Sequence, residues 1–174
     1  MSETVRELLS EEVVDKRIVE MAAQISEDYQ GEEVHLLCIL KGSVFFTCEL
    51  AKRLTIPVSI DFMSVSSYGM DAKSSGVVKI VKDLDEDVEG KNVLVVEDII
   101  DSGRTLNYLL GYLGSKHPKS LKLCTLLDKP EQRVAKVDVD YTGFCIPDEF
   151  VVGYGLDYAQ RYRNLPYIGV LDLG

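Results

Sequence analysis

Apolar residues along the chain form short unbroken runs that alternate with segments of helical periodicity. The runs are rich in β-branched residues, which is typical of strands buried on both faces of a parallel sheet. Between them, apolar residues recur every three or four positions, as on one face of an amphipathic helix. The predicted strands cover residues 34–40, 58–65, 77–81, 93–96, 121–127, 137–141 and 168–171, and the predicted helices cover residues 10–29, 44–54 and 106–113.

This alternation predicts an α/β protein in which a mostly parallel, twisted sheet is flanked by helices. The segment 34–65 is a strand–helix–strand unit, so its two strands should be parallel with a right-handed crossover. The chain has no internal repeat, low-complexity segment or linker, which predicts a single domain over residues 1–174. In such sheets, ligands bind beyond the carboxyl ends of the strands.

Composition narrows the class of function. The net charge of −10 and the pI near 4.7 argue against a nucleic-acid-binding surface. No apolar run approaches the roughly 18 residues that a membrane span needs, and the acidic N-terminus lacks the pattern of a secretion signal.

The four cysteines, Cys38, Cys48, Cys124 and Cys145, form no C-x-x-C pair. They favour reduced thiols in a cytoplasmic protein over a disulfide or a zinc site.

Candidate chemistry is concentrated directly after the strand at 93–96. Glu97 and Asp98 follow it, then Asp101 and a polar turn around Gly103, and then a helix. Glycine lets the backbone curl, and the N–H groups at the helix start can hold a phosphate. The carboxylates suit sugar hydroxyls, a Mg²⁺ ion or a proton transfer. The alternative to such a binding site is an acidic loop that only connects the strand to a capped helix. The turn also supplies two hydroxyls and a cation: Ser102, Thr105 and Arg104.

The order of these parts resembles the phosphoribosyl-pyrophosphate (PRPP) signature of the type I phosphoribosyltransferases. The match over residues 93–106 is an apolar strand, two acids, two apolar residues, a third acid and a small-Gly-basic-Thr turn. The resemblance implies the fold of that family, with a small hood formed by the terminal segments, and Mg²⁺ as cofactor. It assigns Glu97 and Asp98 to ribose hydroxyls and metal, and Asp101 to general acid–base catalysis. The turn from Asp101 to Thr105 is assigned to the 5′-phosphate.

Two segments in the second half resemble family members that act on hypoxanthine and guanine. They are the Leu-Leu-Asp-Lys-Pro sequence around Lys129 and the stretch 147–158. The resemblance implies that Lys129 donates to the 6-oxo group of a purine and that Phe150 stacks on its ring. The backbone of Val151 would meet the ring edge, and Asp157 would be a purine-site residue and a second Mg²⁺ contact. The implied reaction transfers a phosphoribosyl group from PRPP to purine N9.

Other parts of the chain are assigned through the same resemblance. Lys41 and Gly42 match a pyrophosphate-binding loop, whose preceding peptide bond tends to be cis in the family. Arg163 matches a second pyrophosphate contact. Ser67 and Tyr68 match a flexible lid, although a plain connection between two strands is an equally simple interpretation.

Two other functions are open at this point. One is a phosphoribosyltransferase for xanthine or a pyrimidine base. The other is a regulator that binds PRPP as a sensor and nucleic acid as its target, against which the acidic pI and the lack of a helix-turn-helix segment argue. Family resemblance also implies a homodimer or homotetramer, with PRPP and a 6-oxopurine as partners. Composition predicts neither a membrane nor a nucleic-acid partner.

Overall fold

The three α-helices and most of the strands follow the chain order that the periodicity predicts. A computed structural model describes residues 2–67 and 78–174. The helices are α1 (Glu11–Asp28), α2 (Val44–Arg53) and α3 (Arg104–Gly114), with a 3₁₀ turn at Pro130–Gln132. The strands are β1 (Thr4–Leu9), β2 (Val34–Leu40), β3 (Val58–Ser67), β4 (Val78–Lys82), β5 (Asn92–Ile100), β6 (Ser120–Asp128), β7 (Tyr141–Cys145), β8 (Val151–Val152) and β9 (Ile168–Asp172).

The main sheet has six strands in the order β4-β3-β2-β5-β6-β7. Strands β3, β2, β5, β6 and β7 of this sheet pair in parallel with one another, and among its described strands β4 alone pairs antiparallel, with β3. Helices α1 and α2 bury Ile18 and Phe46 on one face, and α3 buries Leu109 on the other. The predicted α/β class with a mostly parallel sheet is confirmed, because fully apolar strands need a cover on both faces.

A second, three-stranded sheet in the order β1-β9-β8 joins the two ends of the chain. It confirms the hood of terminal segments. Strand β1 was not predicted, because its Thr-Val-Arg-Glu-Leu-Leu sequence includes two charged residues and most of it is exposed or half-buried. Antiparallel pairing with β9 holds this segment as a strand, although its composition gives no strand pattern.

Two strands have boundaries that differ from the prediction by more than two residues. The strand expected from Val137 begins only at Tyr141, and Val137 and Val139 instead pack from a loop against the α3 side of the sheet. Strand β5 runs on to Ile100 instead of ending at Val96, because parallel pairing with β6 continues to Ile100. Glu97 and Asp98 therefore lie within the last residues of β5, and Asp101 directly follows the strand.

Cys38 and Cys124 are buried, Cys48 and Cys145 are exposed, and all four are free. Within the described ranges, no helix has both the length and the apolar character needed to cross a bilayer.

Candidate functional site

The carboxyl ends of β2 and β5 border a cleft of about 330 Å³. Neighbouring parallel strands end at the same edge of the sheet, so residues distant in sequence meet there. Its wall is formed by Ile39, Leu40, Gly42, Val65, Glu97, Asp98, Ile99, Ile100, Asp101, Ser102, Gly103, Thr105 and Leu106. Most of the residues predicted around the polar turn therefore share one cavity with Gly42, whereas Arg104 and Lys41 are not part of its wall.

Adjacent carboxyl groups on β5 resist ionisation. Burial and the neighbouring Asp98 carboxylate raise the pKa of Glu97 well above its usual range. Burial also raises the pKa of Asp98 to about 6, although the Ile99 N–H donates to Asp98 Oδ1 at 2.7 Å and favours the anion. A cation or hydroxyl donors bound beside the pair would stabilise both anions. The pair is therefore suited to a divalent metal ion or to sugar hydroxyls.

The polar turn presents the start of α3 to the cleft. Gly103 has φ of 80° and caps α3 without a side-chain hydrogen bond, and the helix begins at Arg104. A β-carbon at Gly103 would lie 2.9 Å from the Ala135 carbonyl oxygen, so the turn has no space for a larger residue. Ser102 accepts hydrogen bonds at its carbonyl from the N–H groups of Val134 and Ala135, at 2.9 and 3.0 Å. The fixed turn directs the positive end of the helix dipole at the cleft, which favours an anion such as phosphate.

The loop after β2 closes the opposite wall. Its Leu40–Lys41 peptide bond is cis, as the resemblance suggests. A β-carbon on Gly42 would lie 1.7 Å from Asp98 Oδ2, and one on Gly155 would lie 2.1 Å from the Gly42 carbonyl oxygen. Two glycines therefore allow the β2 loop to pack directly between the β5 carboxylates and the hood.

A chain of polar contacts links this loop with the hood. Lys41 Nζ donates to the Gln160 side-chain oxygen at 3.4 Å, and Arg163 Nη2 donates to the same oxygen at 3.1 Å. Arg163 Nη2 also lies 3.3 Å from Asp157 Oδ1, and Arg163 is near enough to Asp98 to interact with its charge. Two cations are thus held beside the acidic cleft, where they can neutralise a bound polyanion.

The Lys129 ammonium lies between two carboxylates. Its Nζ is 3.5 Å from Asp101 Oδ1 and 3.5 Å from Asp148 Oδ1. The Lys129 N–H donates to the Ile100 carbonyl at 3.0 Å, which anchors the residue beside the end of β5. Since Asp101 lines the cleft, the ion pair brings a buried ammonium to the rim of that cavity. The Asp101 carboxylate, which can accept a proton, and the Lys129 ammonium, a fixed hydrogen-bond donor, therefore lie side by side.

Phe150 and Val151 lie in the hood rather than in the cleft wall. Phe150 is 53% exposed, and its ring meets the Tyr158 ring at 89°, with centroids 5.8 Å apart. Val151 is buried and pairs with Val170 of β9. The exposed ring follows Asp148 by two positions, so a flat ligand held by Lys129 could reach it. Stacking on Phe150 stays a prediction.

The predicted lid falls largely outside the described residues. Ser67 is the last residue of β3, and Tyr68 lies in the segment 68–77, which the structure does not describe. The lid therefore stays a prediction.

Sequence reasoning missed three polar residues in this region: Arg133, Asp148 and Gln160. Arg133 Nε donates to the Asp101 carbonyl at 3.3 Å, while Asp148 and Gln160 contact the two lysines described above. Asp148 could have been found, because it is an acid that closely follows the last strand of the sheet. Arg133 and Gln160 lie in irregular segments whose path no periodic pattern predicts.

Comparison with known proteins agrees with this geometry. The family model of the phosphoribosyl transferase domain matches residues 4–159. A hypoxanthine phosphoribosyltransferase of Salmonella typhimurium is 52% identical over 175 residues, covering 99% of this chain and 98% of its own. A hypoxanthine-guanine phosphoribosyltransferase of Mycobacterium avium is 51% identical over 171 residues, covering 95% and 84%. The crystal structure of a hypoxanthine-guanine phosphoribosyltransferase of Bacillus anthracis superposes with a TM-score of 0.93 at 46% identity, covering 98% and 99%.

Proposed function

The chain belongs to the phosphoribosyltransferase family, and we propose that it transfers the 5-phosphoribosyl group of PRPP to N9 of hypoxanthine and guanine. The products are inosine or guanosine monophosphate and pyrophosphate, a purine-salvage reaction. The observation that carries this proposal is the 3.5 Å contact between Asp101 in the cleft and Lys129 at its rim. It joins the proposed sugar-phosphate site to a donor for a 6-oxo group.

The cleft provides a separate place for each part of PRPP. Ser102, Gly103 and Thr105 at the start of α3 hold the 5′-phosphate through N–H groups and hydroxyls. Glu97 and Asp98 accept hydrogen bonds from the ribose hydroxyls. The pyrophosphate group contacts Lys41, Gly42 and Arg163. Arg104 adds a further cation at the turn that holds the 5′-phosphate.

Cleavage of the ribose–pyrophosphate bond gives the C1′ carbon oxocarbenium character, as in glycoside hydrolysis. Lys41 and Arg163 stabilise the negative charge that develops on the leaving group. Asp101 takes the proton from purine N7 as N9 attacks C1′, so the base does not accumulate positive charge. Each of these steps depends on positioning and charge, and none requires a covalent enzyme intermediate.

The residues present also fit a divalent metal ion, which we propose is Mg²⁺. Glu97, Asp98 and Asp157 are hard oxygen donors of the kind Mg²⁺ prefers. Mg²⁺ commonly keeps several waters and substrate oxygens, so these side chains would supply only part of its coordination. When bound, the ion would supply further neutralisation of the pyrophosphate charge.

Base selection follows from Lys129 and the hood. The ammonium of Lys129 can donate to the 6-oxo group of hypoxanthine or guanine but cannot accept from the 6-amino group of adenine. Phe150 stacks on the purine face, and the Val151 backbone meets its edge. Discrimination against adenine should therefore be strong.

The test is a panel of bases incubated with PRPP and Mg²⁺, with nucleotide formation followed by chromatography. We expect inosine monophosphate from hypoxanthine, guanosine monophosphate from guanine, and almost no product from adenine. Product from xanthine or a pyrimidine alone would contradict the assigned base. If the protein consumes PRPP with no base and retains RNA or DNA on a filter, it is a nucleic-acid-binding regulator and not this enzyme.

We place the enzyme in the cytoplasm and treat residues 1–174 as one phosphoribosyltransferase domain. Free buried thiols at Cys38 and Cys124 support a reducing compartment.

We also propose a homodimer or homotetramer, for which exposed apolar side chains such as Phe45 and Ile60 offer contact area. Sedimentation velocity would measure the oligomeric state directly.

A further inference from the structure

Asp148 is a second carboxylate at Lys129 to which the reaction above assigns no role. Strands β5, β6 and β7 are consecutive in the sheet, and Asp101, Lys129 and Asp148 follow their respective carboxyl ends. Cα pairing of Asp128 with both Ile100 and Cys145 keeps the three ends in register. The Ile146 N–H also donates to the Asp128 carbonyl at 2.9 Å. Sheet topology therefore places one carboxylate on each side of Lys129.

The burial of Lys129 makes the second carboxylate significant. The residue is 8% exposed, so its ammonium depends on nearby anions to offset the loss of hydration. While Asp101 is ionised, the ammonium has two partners at 3.5 Å. Asp101 becomes neutral once it has accepted a proton. Of these two carboxylates, Asp148 is then the one that still carries a negative charge beside Lys129.

We propose that Asp148 is a positioning residue that holds the Lys129 ammonium towards the 6-oxo group while Asp101 takes the proton from N7. This inference rests on the proposed function. In that step the purine N7–H bond breaks, an O–H bond forms on Asp101, and the electron pair stays on the purine as N9 bonds to C1′. Pyrophosphate leaves with the electrons of its bond to C1′. Asp148 does not contact the reacting atoms and acts through Lys129.

The position of Asp148 sets the size of the expected effect. Its side chain is 57% exposed, so water screens its attraction to Lys129. We expect Asp148→Asn to raise the KM for hypoxanthine by about fivefold, the scale of a partly exposed charge contact. The KM for PRPP should stay unchanged, because the cleft residues that bind it do not touch Asp148. A residue that only supported the fold would alter both constants and lower the melting temperature.

Two further variants make the test specific. Glu149→Gln removes the next carboxylate along the same turn, which pairs with Arg6 rather than Lys129, and should leave both KM values unchanged. Asp148→Glu keeps the charge and should restore most of the hypoxanthine affinity. If Asp148→Asn fails to fold, Asp148→Ser replaces it in the same measurements.

A double-mutant cycle decides whether Asp148 acts through Lys129. In a Lys129→Ala background, Asp148→Asn should cause no further rise in the KM for hypoxanthine. An equal rise in both backgrounds, or no rise in the wild-type background, would overturn the inference. A wild-type protein that forms no nucleotide would instead overturn the proposed function, so the two failures are distinguishable.

Discussion

Gly42 and Asp98 are packed so closely that a β-carbon on Gly42 would lie 1.7 Å from Asp98 Oδ2. Only a residue without a side chain allows the loop after β2 to pass beside the β5 carboxylate. The contact joins the proposed pyrophosphate loop to the proposed ribose and metal ligand. A side chain at Gly42 must therefore displace Asp98.

The first prediction concerns this contact. Gly42→Ala should lower kcat/KM for PRPP by about 100-fold or more, because a displacement of about 1 Å in a positioning group costs that much. Steady-state kinetics with varied PRPP would measure the loss. Gly111→Ala is the matched control, since no heavy atom lies within 4 Å of a β-carbon there. Gly111 is inside α3, so its substitution should preserve activity and stabilise the fold by about 0.5–1 kcal/mol. Equal activity of both variants would refute the packing argument.

The second prediction concerns pH and stability. Burial raises the pKa of Asp98 to about 6, above its value in the unfolded chain. Well below pH 4, where the carboxyl is protonated in the unfolded state as well, no penalty arises. As pH rises towards 6 the unfolded state releases its proton first, so folding stability falls, and above pH 6 the penalty is complete. Asp98→Asn should therefore raise the melting temperature of the substrate-free enzyme at pH 8 and change it little near pH 4.

The same variant should lose function while it gains stability. An amide cannot replace a carboxylate as a hydroxyl acceptor or metal ligand of comparable strength, so PRPP binding with Mg²⁺ should weaken. Thermal scans at several pH values, paired with calorimetric titration of PRPP, would measure both effects. A melting temperature that drops equally at every pH would show that Asp98 is not under electrostatic strain.

The third prediction concerns proton transfer. Asp101→Asn should lower kcat by about 10²–10⁴-fold, the usual contribution of a positioned acid–base group. PRPP affinity should change little, because the phosphate turn and the β5 carboxylates remain. Single-turnover assays and PRPP titration would separate chemistry from binding. Asp138→Asn, at an exposed carboxylate in the loop after β6, serves as the control. Full activity of Asp101→Asn would remove this residue from the mechanism.

The fourth prediction concerns base selection. Lys129→Ala should reduce the preference for hypoxanthine over adenine by about 100-fold or more, because the donor to the 6-oxo group is lost. Competition between the two bases at fixed PRPP would measure the ratio. Lys136→Ala removes an exposed lysine of the neighbouring loop and should leave the ratio unchanged. Unchanged discrimination in Lys129→Ala would refute the assigned role.

Local patterns in the sequence determined much of this protein. The apolar run of β2 and the helical periodicity of α1 were predicted within one or two residues, because burial on two faces or on one face leaves a short-range signature. The turn around Gly103 was also predictable, since its left-handed backbone requires a glycine. The expected strand from Val137 was wrong, because alternating valines can also pack from a loop.

Tertiary structure alone decided which distant groups meet. Nothing local to Lys129 indicates that β6 lies between β5 and β7, so its two contacts with Asp101 and Asp148 follow only from strand order. Likewise, the approach of Gly155 to the Gly42 carbonyl exists because the hood folds back over the β2 loop. Short-range periodicity reports how each segment is buried, whereas the site depends on the order in which the segments pack.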